Sequence, residues 1–304
     1  MQITLFVHIL INDPQKDDVP SFLKERRQVL QQLADGLRRF EPMVRNDDLI
    51  FHGISMGDRM LIEDYCRQNC KMKLVFVANA VYVAEEIQHA RFVPLGIVGD
   101  GVDCNDNGKA LNHYPKRLCD ACWSYDLTAV PDPFVIQRPT RMQSLYHASN
   151  GVKIVSAALW HELRATLEPW VRVGSVSYSD APDHPVKEYV WIMPTELIGP
   201  YSRTFVADTC GVCHRPIYAY FKPAEDDLLL SMDIVTHIPP TDAPIALVGM
   251  WHGRFIKGRQ PRVSWPVVIS GELHECLRAM KVKGFGPVDR PIHTQVEAER
   301  LLAR

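Results

Sequence analysis

Over the first hundred residues, the apolar positions alternate between strand-like and helix-like spacing. The run Ile3–Leu10 is apolar with β-branched members, which is typical of a buried strand. After Pro20 and Ser21, apolar residues recur at helical spacing as far as Phe40, and only Arg26 interrupts the stripe. This alternation predicts an α/β domain. The pattern further predicts strands at Leu49–His52, Lys73–Val77 and Phe92–Val98, and helices at Asp58–Cys70, with Asp58 as N-cap, and at Val81–His89.

A segment rich in Gly, Asp and Asn follows, from Gly99 to Gly108. Such a composition indicates a boundary, and we predict an α/β domain over residues 1–104 and a second domain over residues 105–304. The segment imitates the opening of a calcium-binding loop from Asp103 onward. The acid that would close such a loop is replaced by Tyr114, so a turn is the simpler interpretation.

The second part of the chain contains an internal echo. Ile154-Val155-Ser156, followed by Leu159 and Leu163, is matched by Val268-Ile269-Ser270, followed by Leu273 and Leu277. Each copy predicts a strand, a serine N-cap and a short amphipathic helix. The pattern predicts α+β architecture here, and it leaves open whether the echo is a duplication or a chance recurrence.

Charge and hydropathy narrow the classes of partner. The chain has 304 residues, a formal net charge of -2 and a hydrophobic content of 46%. Nucleic-acid-binding domains are usually strongly basic, so we expect no nucleic-acid partner. The N-terminal apolar run is too short to cross a bilayer and lacks a basic flank, so we expect no membrane segment and a cytoplasmic location.

Two Cys-x-x-Cys pairs are the clearest chemical signal in the sequence. They are Cys119/Cys122 and Cys210/Cys213. A Cys-x-x-Cys turn directs two thiolates at one point, and two such turns supply the four ligands of a tetrahedral zinc site. We therefore predict one structural Zn²⁺ ion bound by these four cysteines and joining distant parts of the second domain.

Other interpretations of the cysteines remain open. Cys210-Gly211-Val212-Cys213 superficially resembles a thiol–disulfide motif, but the residues that follow are strand-like, whereas redox chemistry places the first cysteine at a helix N-terminus. Reduced cysteines without a metal are the remaining alternative, and His214 is an alternative zinc ligand. Cys66 and Cys70 are predicted to be packing residues of a helix.

Searches for an enzymatic motif favour a non-catalytic protein. His161-Glu162 and His274-Glu275 both lack the second histidine of a zinc protease. No glycine-rich phosphate loop and no Gly-x-Ser-x-Gly elbow is present, and four thiolates would leave zinc no open position for water. An acid–base pair formed only in the folded chain stays possible.

Over about residues 90–300, the sequence resembles the double-CXXCG immunity proteins, which neutralise a partner toxin in bacterial competition. The resemblance consists of the two distant cysteine pairs and the closing segment from Val267 through Leu277 to Val288. Where the family has a glycine after each pair, this chain has Trp123 and His214. The resemblance implies a non-catalytic protein that binds one cognate protein toxin. The alternatives are an enzyme with an active site between the domains and a thiol–disulfide protein.

Overall fold

A computed structural model shows a chain of mixed helices and strands with several sheets. None of the helices in the described ranges combines the length and apolar composition needed to cross a bilayer. The structure describes residues 2–9, 19–45, 48–98, 101–102, 105–106, 109–110, 116–121, 124–126, 129–148, 151–199, 204–214, 216–220, 233–249 and 266–302.

The helices are α1 (Val19–Gly36), α2 (Met56–Asn69), α3 (Ala84–Gln88), α4 (Ala157–Leu167), α5 (Gly271–Ala279) and α6 (Gln295–Leu302), with 3-10 turns at Arg38–Phe40 and Glu168–Trp170. The strands are β1 (Gln2–Ile9), β2 (Met43–Arg45), β3 (Asp48–Ile54), β4 (Leu74–Val81), β5 (Val93–Pro94), β6 (Asn105–Asp106), β7 (Lys109–Ala110), β8 (Lys116–Cys119), β9 (Ser124–Asp126), β10 (Phe134–Ile136), β11 (Leu145–His147), β12 (Lys153–Ser156), β13 (Val171–Tyr178), β14 (Ala181–Pro194), β15 (Leu197–Ile198), β16 (Thr204–Thr209), β17 (Pro216–Tyr220), β18 (Asp233–Val235), β19 (Ile245–Val248), β20 (Val267–Ile269) and β21 (Ile292–Thr294).

These elements belong to two compact units. The first unit lies within Met1–Glu86, Lys222–Asp233 and Val296–Arg304, and the second lies within Ile87–Phe221 and Ile234–Gln295. Strand β5 pairs with β20 in the second unit, although it precedes the predicted boundary at residue 104. A short strand packs with the sheet that satisfies its backbone hydrogen bonds, wherever it lies in the sequence.

The first unit has a four-stranded sheet in the order β2-β3-β1-β4, and every pairing in it is antiparallel. With the intervening helices, the element order β-α-β-β-α-β is that of ferredoxin-like folds. Alternate residues of β1 are buried against α1 and α2, and each fully buried aliphatic side chain contributes ~1.5–3 kcal/mol. The buried set includes Ile3, Leu5, Val7, Leu30, Leu33, Ile62 and Cys66.

The N-cap of α2 is Ser55, and the prediction of Asp58 at this position is wrong. The Ser55 hydroxyl accepts the backbone N–H of Asp58 at 3.1 Å, and the Asp58 carboxylate accepts the backbone N–H of Ser55 at 3.3 Å. This reciprocal arrangement is a capping box. Asp58 is therefore the third residue of the helix. The helix begins at Met56, earlier than the apolar pattern indicated.

The second unit contains two larger sheets and several hairpins. The five-stranded sheet has the order β10-β13-β14-β12-β11, and the four-stranded sheet has the order β15-β19-β20-β5. The pairs β8-β9 and β16-β17 are separate two-stranded hairpins. In the first copy of the echo, the helix is followed by the extended strand β13. In the other copy, Phe285 makes an isolated bridge to Ile97, and the first strand after the helix is β21.

Both cap serines of the internal echo are confirmed. The Ser156 hydroxyl accepts the N–H of Leu159 at 3.3 Å at the start of α4. The Ser270 hydroxyl accepts the N–H of Leu273 at 3.2 Å at the start of α5. Each serine therefore satisfies a backbone donor that the first helical turn leaves without a partner.

The echo extends beyond the matched residues. Strand β12 pairs antiparallel with β11, with Leu145 opposite Val155, and β20 pairs antiparallel with β19, with Ile245 opposite Ile269. In each copy a further strand precedes this hairpin and lies beside the strand that follows the helix, as β10 beside β13 and β18 beside β21. Four strands and one capped helix thus recur in the same order, which favours a repeated structural unit over chance.

Candidate metal centre

Three of the four predicted zinc ligands occupy the ends of two β-hairpins. Cys119 is the last residue of β8 and stands opposite Ser124 of β9. Cys210 directly follows β16, whose last residue is paired with Pro216 at the start of β17. Cys213 lies in the same turn as Cys210. The extended strands bring both ends of each short cysteine-containing turn together.

The three sulfur atoms form a close group. All Sγ atoms of Cys119, Cys210 and Cys213 lie within 4.8 Å of one another, and the Cys119–Cys210 distance is 3.9 Å. A disulfide would require ~2.05 Å, so these thiols are not bonded to each other. Four sulfurs at ~2.3 Å from a tetrahedral zinc ion stand about 3.8 Å apart. The observed spacing is therefore suitable for a metal ion between the thiols.

Burial favours a protected metal site over a reactive thiol. Cys119 and Cys210 are only 8% and 4% exposed, and Cys213 is partly buried. The intervening Val212 is 72% exposed, so the turn presents its cysteines inward and its tip to solvent. These cysteines could hold a metal ion by thiolate coordination.

The backbone of the second cysteine turn is closed by His214. The His214 N–H donates to the carbonyl oxygen of Cys210 at 2.9 Å. His214 has a φ of +56°, in the left-handed region that favours glycine. A non-glycine residue is uncommon in this region, so the residue type gave little indication of the conformation. The tight turn places the two thiols of the pair on the same side.

The fourth predicted ligand, Cys122, lies outside the described residues. The structure therefore brings together Cys119, Cys210 and Cys213. Cys104 and the residues that imitate a calcium loop around it also fall largely outside the described ranges.

The other described cysteines are separate from this cluster. Cys66 is fully buried in the core of the first unit, as predicted, and burial raises the pKa of its thiol to about 12. Such a thiol stays protonated and unreactive. Cys70 ends the same helix and is partly buried, whereas Cys276 is exposed on α5.

The surroundings of Cys210 differ from those of a thiol–disulfide site. A reactive first cysteine usually stands at a helix N-terminus, where the helix dipole stabilises the thiolate. Cys210 instead lies between β16 and β17 in a hairpin turn.

Comparisons of the chain with protein-family models, with curated proteins and with solved structures find no match.

Proposed function

We propose that Cys119, Cys122, Cys210 and Cys213 bind one structural zinc ion. The observation that carries this proposal is the convergence of three of these sulfurs at the ends of two hairpins. Cys122 stands two positions before Ser124, which pairs with Cys119, so it is the nearest candidate in the sequence for the fourth ligand. Soft thiolates in a tetrahedron are the donor set that zinc prefers.

The role of the metal in this proposal is structural. Four thiolates fill the coordination sphere, so no position is left for a substrate or a catalytic water. The ion would join a hairpin near residue 119 to another near residue 210, which lie 91 residues apart in the chain. A bond of this kind stabilises the folded chain because the unfolded chain has no preformed site.

For the whole protein, we propose binding and neutralisation of a cognate protein toxin. The support is the similarity to the immunity proteins in its cysteine layout and closing segment, together with the proximity of cysteines from both pairs. The left-handed conformation of His214, at a position where those proteins have glycine, agrees with a shared turn. Recognition of this kind requires a stable surface, which a structural zinc ion would provide.

The zinc proposal is tested by the metal content of protein purified without added metal and without a histidine tag. Plasma mass spectrometry should find close to one zinc ion per chain. Cys119→Ser and Cys213→Ser should lower the zinc content, whereas Cys276→Ser, which changes an exposed cysteine outside the cluster, should leave it unchanged. Metal-free protein whose thiols oxidise and reduce reversibly would contradict the proposal and indicate thiol chemistry.

The toxin-binding proposal is tested by co-expression with the protein encoded beside this gene. We expect host cells that produce the neighbouring protein to grow only when they also produce this chain. The two proteins should form a one-to-one complex on size-exclusion chromatography. A chain carrying Cys119→Ser together with Cys210→Ser should protect less because its surface is less stable. Protection without any complex would contradict neutralisation by binding.

A further inference from the structure

A cavity in the second unit, whose lining includes none of the clustered cysteines, carries basic and neutral polar groups on its wall. Its volume is about 310 Å³. The loop that forms most of its wall contributes Arg138, Thr140, Arg141 and Gln143, and none of the described residues that line the cavity is acidic. We propose that this cavity binds a small phosphate monoester.

The wall of the cavity is held in place by hydrogen bonds. The hydroxyl of the buried Tyr146 donates to the carbonyl oxygen of Arg141 at 2.6 Å and accepts the backbone N–H of Gln143 at 2.7 Å. The N–H of Gln137 donates to the carbonyl oxygen of Val102 at 3.0 Å, which ties the two sides of the cavity together. A wall organised before binding lowers the entropic cost of taking up a ligand.

Two guanidinium groups decide the chemistry of the ligand. Arg141 is exposed, and its guanidinium makes no ion pair within the described part of the chain. Arg138 stacks over Tyr178 at 4.1 Å and meets Asp180 at 3.1 Å. That ion pair is more than 60% exposed on both sides and therefore weak, and Arg138 retains further N–H donors for a ligand.

A phosphate monoester fits this combination of charge and size. The planar guanidinium fork matches two oxygens of a phosphate group, and two positive groups match its two negative charges. Cavities for small molecules typically measure roughly 300–1,000 Å³, so this one suits a ligand near the lower limit of size. Thr140 and Gln143 add neutral polar groups for the remainder of the ester.

The experiment is calorimetric titration of the full chain with inorganic phosphate and with glycerol 3-phosphate, at constant ionic strength, with acetate and glycerol as comparison ligands. Both phosphates should saturate one site. Arg141→Gln should weaken binding about tenfold or more, because charge-assisted hydrogen bonds are roughly twice as strong as neutral ones. Tyr146→Phe should also weaken binding, since it releases the loop without changing the net charge.

Arg164→Gln is the matched control. Arg164 lies on α4, outside the cavity lining, and pairs with Glu168, so its loss changes the net charge equally and should leave phosphate binding unchanged. Equal weakening in Arg141→Gln and Arg164→Gln would overturn the proposal in favour of non-specific attraction. Acetate binding as tight as phosphate binding would overturn the phosphate assignment, and absence of saturation at millimolar phosphate would overturn the site itself.

Discussion

At the level of single residues, hydroxyl groups set where several helices begin. Ser156 and Ser270 each end an extended segment and accept a backbone N–H from the first turn of the following helix. Their backbones are in the extended region, with ψ near 150°. A serine between a strand pattern and a helix pattern can therefore be identified from the sequence, because its partner lies only three residues away.

Loss of either cap should destabilise the second unit. Ser156→Ala and Ser270→Ala should each lower the free energy of unfolding by about 1 kcal/mol, since one helix donor then lacks its partner. The measurement is urea denaturation followed by far-UV circular dichroism. Ser179→Ala is the control, since Ser179 is exposed and caps no helix, and a loss of the same size there would contradict the capping explanation.

A buried lysine next to a histidine introduces a dependence on pH. Lys153 is only 3% exposed, and its Nζ lies 3.2 Å from Nδ1 of His147. Desolvation of its ring, and secondarily the charge of Lys153, lowers the pKa of His147 to about 4. The histidine is therefore neutral in the folded protein and can accept a hydrogen bond from the ammonium group.

This pair should make the protein less stable in mild acid. Between pH 6.5 and pH 4 the unfolded chain binds a proton at His147 that the folded chain does not, so the free energy of unfolding falls as the pH falls through this range. Urea denaturation at several pH values should show this loss, and His147→Gln should reduce it. In NMR titrations, Lys153→Met should raise the pKa of His147 only partly, because desolvation of the ring is the larger cause. A ring that titrates at its ordinary pKa in the wild type would contradict the mechanism.

At the level of elements, the two copies of the echo differ where α5 meets its neighbour. Gly271 is the first residue of α5, and its N–H donates to the carbonyl oxygen of Ala90 at 3.0 Å. A Cβ atom at this position would overlap the carbonyl oxygens of Ile87 and Gln88. Ala157 occupies the equivalent position in the other copy, at the start of α4. The same local motif thus carries a glycine only where another backbone approaches.

Gly271→Ala should therefore destabilise the protein, although alanine normally favours a helix over glycine. We expect a loss of about 1–3 kcal/mol from overpacking, because backbone oxygens cannot move aside as a flexible side chain would. Gly57→Ala, near the start of α2, is the control, because among the described residues a Cβ there would meet only the Ser55 hydroxyl at 3.8 Å, an ordinary contact distance. Thermal unfolding of both variants is the measurement, and stabilisation by Gly271→Ala would show that the contact is absent.

At the level of the whole molecule, the cysteine cluster joins hairpins that are distant in sequence. Strand β8 and strand β16 belong to separate two-stranded sheets, and each pairs only with its own partner strand among the described elements. Short hairpins of this kind are marginally stable in isolation. Metal coordination at Cys119 and Cys210 would supply a bond that neither hairpin forms alone.

Under the zinc proposal, removal of one of these cysteines should destabilise the folded protein. Cys119→Ser or Cys210→Ser should cost several kcal/mol, because structural zinc binding is worth roughly 10 kcal/mol in small peptides and is coupled to folding. Calorimetric unfolding with and without a zinc chelator is the measurement, and the chelator should lower the Tm of the wild type far more than that of either variant. An equal effect on wild type and variants would contradict a role for these cysteines.

Local features could be predicted from the sequence because they depend on residues that are close together in the chain. Apolar periodicity identified β1 and α1, the serines before α4 and α5 identified their caps, and the Cys-x-x-Cys spacing identified the thiols to consider as ligands. The sequence pattern led to the wrong cap for α2, because aspartate and serine are both good caps and only the hydrogen bonds distinguish their roles.

The tertiary structure alone decided which distant segments meet. Strand order, the packing of β5 with β20, the 3.9 Å approach of Cys119 to Cys210 and the cavity behind Tyr146 all depend on contacts between residues far apart in the chain. Such contacts are selected by burial and by the pairing of backbone groups over the whole fold. A single sequence carries no local signal for them, whereas a helix or a cap is encoded within a few residues.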